Sequence, residues 1–250
     1  MGKQGGLGDN CYVDGYDMSG DVTSLQRVGG GPNLTEAVTG IKKLAFERIG
    51  LLRDGGIDFT SWFNDSTATG AEGQHTVLKT LPTADRIVSY FRGTAVGSPA
   101  ASLVSKQVNF DGNRGNDASF TFQCNAQANG FGLEWGDQLT AGLKTDTTAS
   151  NGTSIDFGSA STAFGWAAYL HVVAFTGTSV TVTVQDSADN GTFASLTGGA
   201  FTAATAIGAQ RIASSSTTAT VRRYVRIATS GTFSNAVFAV NFVRYLQAQS

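Results

Sequence analysis

The chain has 250 residues, with 17 basic against 19 acidic side chains and a formal net charge of -2 at pH 7. Its charged fraction is only 14%, while 41% of residues are hydrophobic and 10% aromatic. That balance excludes gross disorder and argues against a protein built chiefly to grip nucleic-acid phosphates. Surface polarity must come from 30 Thr and 22 Ser, and 32 Gly against three Pro mark many tight turns. An all-β chain is predicted.

In chain order, the first ten residues hold no apolar run able to serve as a signal-peptide core, so synthesis inside the cell is the expectation. Ile41 to Arg53 has apolar spacing that partly suits a helix, but Gly50 and the turn Asp54-Gly55-Gly56 favour a two-stranded arm. Ile57 to Phe63 alternates, with Ile57, Phe59 and Phe63 on one face and Asp58, Thr60 and Trp62 on the other. Gln74 to Leu81 is the best short helix, stopped by Pro82. Arg86 to Arg92 reads as a strand. Val104–Phe110 and Ala118–Cys124 read as a hairpin around a long turn over Asp111–Asp117.

Charge then divides the chain. Residues 1–150 carry 12 Lys/Arg and 16 Asp/Glu, whereas residues 151–250 carry five Arg and three Asp with no Lys or Glu. The polar stretch Thr145–Thr153 at this shift reads as a linker. Two domains are expected, 1–148 with residues 1–11 flexible, and 149–250. In the second, Ala167–Phe175, Ser179–Gln185, Val221–Ile227 and Val237–Tyr245 are four strands. Turns at Phe175–Thr178 and Asp189–Gly191 suggest an antiparallel β-sandwich.

Chemistry-bearing patterns are sparse. His75 falls on the short helix and His171 in a strand, and both read as structural residues. Cys11 and Cys124 allow one disulfide by count but no disulfide framework, and Cys124, on the apolar side of its strand, reads as a buried free thiol. No nucleophile elbow, phosphate loop, dinucleotide fingerprint or zinc spacing occurs, so no catalytic residue, metal or cofactor is expected. Asp186 to Gly191 resembles the start of a calcium loop but lacks its ligands, and reads as a hairpin turn. Asp111 and Asp117 read as a solvated loop. Arg222, Arg223 and Arg226 alternate between faces, which weakens a phosphate-binding patch. Trp166, Tyr169 and Tyr224 could form a sugar-stacking platform, and Trp166 and Tyr169 are candidates for contact at an outer surface. A carbohydrate-binding or adhesin module is therefore the alternative reading.

Several strings, in order, resemble the major tail tube proteins of long-tailed phages, particularly those of actinobacteria. They are Tyr16-Asp-Met-Ser-Gly-Asp-Val-Thr-Ser-Leu25, Ala45-Phe-Glu-Arg-Ile-Gly50 and Asp54-Gly-Gly-Ile-Asp-Phe-Thr-Ser-Trp-Phe-Asn-Asp65. Tyr90 to Leu103 and Gly130-Phe-Gly-Leu-Glu-Trp-Gly136 fit the same group. The resemblance implies a tail-tube β-sandwich or barrel with one short helix and a long arm, followed by a C-terminal sandwich that decorates the outside. It implies a virion protein assembled in the host cytoplasm as stacked hexameric rings that conduct DNA. Its partners would be further copies of itself and the tape measure, tail terminator and distal tail proteins, with a weak host-surface glycan contact. Arms of this family bridge subunits, which makes Leu44, Phe46, Glu47, Arg48, Arg53 and Asp54 interface candidates.

Overall fold

A computed structural model describes residues 6–37, 41–42, 48–68, 71–80, 84–158 and 161–248. The fold is all-β. In the first half the strands are β1 (Asn10–Val13), β2 (Tyr16–Asp17), β3 (Val22–Ala37) and β4 (Arg48–Trp62). The small hairpin β5 (Thr67–Ala68) and β6 (Ala71–Glu72) leads into helix α1 (Gln74–Leu78). Then come β7 (Arg86–Phe91), β8 (Pro99–Arg114), β9 (Phe120–Ala128) and β10 (Glu134–Gln138). The helix starts where the sequence places it and ends at Leu78; residues 81–83 lie outside the described set.

Strand β8 changes partners along its length, which builds the sandwich. Residues 99–105 pair with β7 and β10, and residues 105–114 pair with β9. A register shift at Gln107/Asn109 separates the two parts, as a bulge bends a strand from one layer to the next. The second layer continues from β9 to β4 and β3, all antiparallel. Between the layers lie Met18, Ile57, Phe59, Leu103 and both cysteines. Cys11 and Cys124 are free and buried, and burial pushes both thiols well above their usual range. Asn10 and Cys11, within the stretch 1–11 expected to be flexible, belong to β1.

The second half adds β11 (Lys144–Asp146), β12 (Ile155–Asp156), β13 (Thr162–Ala163), β14 (Trp166–Ser187), β15 (Ala194–Ala200), β16 (Gly208–Ala213), β17 (Thr220–Val221) and β18 (Tyr224–Arg244). The two strands expected over 167–185 are one, β14, and the two expected over 221–245 lie mostly within β18. These pair antiparallel from Trp166↔Arg244 to Ser187↔Tyr224. The supposed turn at Phe175–Thr178 is a pair of bulges in the β14–β18 ladder, one on each strand. Gly177 has φ +151, and a Cβ there would lie 2.4 Å from Phe233 Cα, so the bulge requires glycine. Leu170 and Val172 share a core with Val182 and Val184, so both ends of the ribbon close on one apolar cluster.

Two further sequence readings are corrected. The turn after β8 spans 115–119, because Asp111 to Arg114 pair with Gln123 to Phe120. Among the described residues no cluster of His, Cys, Asp or Glu could hold a metal ion there or elsewhere. The supposed linker is stitched to β18: Lys144–Asp146 pair with Phe238–Ala236, and Thr229 Oγ1 donates to the buried Asp146 carboxylate at 2.9 Å. The loop after β14, where Asp189 Oδ1 accepts the amides of Gly191 and Thr192, is a hairpin connection as predicted.

Candidate functional site

Two features stand out as places where this chain could engage something else: the β3–β4 ribbon and the seam between the halves. Strand β4 has β9 as a second partner only over Gly56–Trp62. Over residues 48–54 its partner among the described residues is β3 alone, from Gly31↔Asp54 to Ala37↔Arg48. The ribbon therefore extends past the sandwich as two strands, a unit with little stability by itself in water. Its base is held by close backbone packing. A Cβ on Gly55 would lie 2.6 Å from Leu133 Cβ, and one on Gly132 would lie 3.0 Å from Arg53 Cβ.

Of the arm candidates, Arg53 and Asp54 meet at this base, where Asp54 Oδ1 accepts the Gly55 amide at 2.7 Å and the Gln127 amide at 2.8 Å. Arg48 lies in β4, while Leu44, Phe46 and Glu47 fall outside the described residues. Leu52, which sequence reasoning did not single out, is 87% exposed on the ribbon.

A closed polar network crosses the seam. The Gly15 amide donates to His171 Nδ1 at 3.2 Å, which leaves the ring proton on Nε2, 2.8 Å from Ser89 Oγ. Ser89 then contacts Ser102 at 2.7 Å, and Asn241 Nδ2 donates to Ser102 at 2.9 Å. Gly15 itself has φ +88, and a Cβ on it would lie 2.4 Å from the Gly208 nitrogen. Each of these polar side chains sits between apolar residues on its own strand face, and they are buried against each other. His171 is thus a satisfied structural histidine, as expected, while His75 packs against Phe63, Phe110 and Phe122.

Burial pushes the His171 imidazole down to about 3. The folded-state value lies below the unfolded one near 6.5, so the unfolded chain takes up the proton first as pH falls. The stability carried by neutral His171 is complete above pH 6.5 and is lost towards pH 3. In urea titrations, wild type should lose about 4 kcal/mol more than His171→Gln between pH 7 and pH 3.5. Parallel pH profiles would mean that the ring titrates freely in the fold.

A second cluster crosses the seam beside it. The Glu134 carboxylate accepts hydrogen bonds from Tyr169 Oη and Tyr245 Oη and pairs with the Arg211 guanidinium, whose Nη2 lies 3.0 Å from Oε2. Burial first, then the Glu134 charge, pushes both phenols well above their usual range. Arg211 also lies 3.7 Å over the Phe131 ring. An open cleft of about 510 Å³ lies above, bordered by Leu52, Arg53, Phe131, Phe164 and Tyr245.

This geometry corrects the proposed outer contact. Trp166 is 1% exposed and Tyr169 0%, because β14 is covered on both faces: Trp166 packs into the main core and Tyr169 into the seam. Tyr224 is half-buried beside Arg223. Nor do the arginines form a basic patch. Arg222 pairs with Asp186, Arg223 with Asp156, and Arg226 bonds Gln185 and stacks on Phe193.

No protein-family model matches the chain, and no curated protein matches it. Among solved structures it is similar to the Dit protein (gp 19.1) of phage SPP1, described as a paradigm of the hub adsorption apparatus in phages infecting Gram-positive bacteria. Identity there is 9%, with a TM-score of 0.33 over 94% of this chain and 99% of that one. It is also similar to a chain of the phage P2 baseplate in its activated conformation with Ca, at 10% identity and TM-score 0.32, covering 95% of this chain and 98% of that one. Scores this low leave function to be argued from the chain's own residues.

Proposed function

We propose that this chain is a structural subunit of a phage tail, assembling with copies of itself as stacked rings that form a DNA-conducting tube. The observation that carries the reading is the β3–β4 ribbon, which runs beyond its sandwich with no further strand partner among the described residues and presents an 87% exposed Leu52. Unpaired strand edges and exposed apolar side chains are normally shielded in a protein meant to stay alone. Here a neighbouring copy supplies the missing partner, and Arg48, Arg53 and Asp54 lie along the contact.

Two sequence properties support the same reading. The strings resembling tail tube proteins include parts of both ribbon strands and the Gly132–Leu133 segment that packs on the ribbon's base. The first half also carries the chain's excess of acid, and a negative lumen lets a polyanion slide rather than stick. In this reading residues 1–148 build the tube and residues 149–250 lie on its outside.

Deleting residues 44–52 should leave a folded protein that forms no rings or tubes in negative-stain images at concentrations where the wild type does. Tubes of normal diameter from the deletion variant would remove the ribbon from assembly. A wild type that stays monomeric throughout would overturn the proposal.

A further inference from the structure

We propose that Trp135 and Tyr90 form a saccharide-binding ridge on the first half of the chain. Strand β10 alternates sharply here. Glu134 points into the seam, where Arg211 and two tyrosines anchor it, and Trp135 therefore points out, 51% exposed. The Trp135 backbone is fixed by pairing with Ala101, and its ring stands edge-on to Tyr90 at 85°, with centroids 6.4 Å apart. The Tyr90 hydroxyl in turn donates to Asp9 Oδ2 at 2.6 Å, so the ridge is held rigidly before any ligand arrives.

A cleft opens on each side of this ridge. One, of about 540 Å³, has Asn10, Ser19, Thr23 and Ser24 among its walls. The other, of about 970 Å³, has Arg92, Thr94 and Ser98. Trp135 and Tyr90 border both. The local charges cancel, because Asp9 pairs with Arg92 and accepts the Gly93 amide at 3.2 Å.

This chemistry selects a class of ligand. An exposed indole face attracts an apolar C–H surface, and surrounding hydroxyl and amide groups ask for many weak donors and acceptors. Cancelled charge gives no reason for an anion or a cation to prefer the site. A neutral pyranose chain combines a C–H face with a rim of hydroxyls, and two clefts flanking one ridge suit several sugar units. A fully apolar partner would leave the wall hydroxyls unpaired. The inference does not depend on the tube reading, and it places sugar contact at Trp135 rather than at the buried Trp166 and Tyr169.

The test is isothermal titration of the full chain with maltoheptaose and with N-acetylchitotetraose. Saturable binding of at least one, with a millimolar-range Kd, is expected. Trp135→Ala should weaken that binding at least tenfold without changing the melting temperature, Trp135→Tyr should retain part of it, and Trp62→Ala, at an exposed indole on β4, should leave it unchanged. Absence of saturable heat with both sugars overturns the proposal. So does Trp135→Ala binding as tightly as wild type, or Trp62→Ala losing binding to the same degree.

Discussion

Glu134→Ala is expected to cost about 3–5 kcal/mol of stability, the range seen when one partner of a buried ion pair is removed. The Arg211 side chain is only 12% exposed and the Glu134 side chain 4%, so the lost carboxylate is not replaced by bulk water. Removing it strands a guanidinium and the hydroxyls of Tyr169 and Tyr245, each of which points at the same two oxygens. Glu134→Gln should lose less than alanine, because it keeps the volume and one acceptor, yet its amide donors then face Arg211. A Glu134→Leu, Arg211→Met pair should recover only part of the loss: it removes the stranded guanidinium and its desolvation penalty, but leaves the hydroxyls of Tyr169 and Tyr245 without their acceptor. Urea unfolding of the wild type and these three variants measures the differences. A loss below about 1 kcal/mol for Glu134→Ala would mean that solvent reaches the cluster, since exposed ion pairs contribute no more than that.

The same residues show what was legible in the sequence and what was not. Ile57 and Phe59 alternate with polar neighbours because β4 has one covered face there, so a period of two names both strand and core. The hairpin loop at Asp189–Gly191 and the helix beginning at Gln74 are local chemistry and were read correctly. Phe175-Thr-Gly-Thr178 misled because glycine answers two needs, a tight turn and a bulge within a continuing strand. Only the pairing of β14 with the distant strand β18, as in Gly177↔Phe233, distinguishes them. Trp166 and Tyr169 misled for a related reason: Trp166 to Val173 is buried without alternation, as in a strand covered on both faces. Ser89, Ser102, His171 and Asn241 are polar in their own strands and become partners only when β7, β8, β14 and β18 are brought together. Trp135 lay inside a string already noted for its resemblance, but nothing local said that Glu134 beside it would be the buried member of the pair.

A chain ending at residue 148 should fail to fold as a native unit, although its composition and charge suggest a separable first domain. Strand β10 would lose β18, which pairs at Asp137↔Phe242 and Gln138↔Asn241. Strand β11 would lose its partner altogether. Tyr12, Phe91 and Ala100 would lose Val173 and Ala239 from the small core they share, and Ile87 would lose Ala167, Tyr169 and Val243. Ser89, Ser102 and the Gly15 amide would lose His171 and Asn241, and Glu134 would lose Tyr169, Arg211 and Tyr245 together. Large side chains such as Phe91 and Ile87 contribute roughly 1.5–3 kcal/mol each when fully buried, so losing their cover together is comparable to the 5–15 kcal/mol that ordinarily holds a domain. The expected result is a fragment that aggregates, or that lacks near-ultraviolet dichroism and a cooperative melt. Supplying residues 149–250 as a second polypeptide should restore both, because the seam is held by hydrogen bonds and packing rather than by the covalent link at 148/149. A fragment that melts cooperatively at the wild-type temperature, and assembles into tubes of smaller outer diameter, would show instead that the second half decorates a first half able to stand alone.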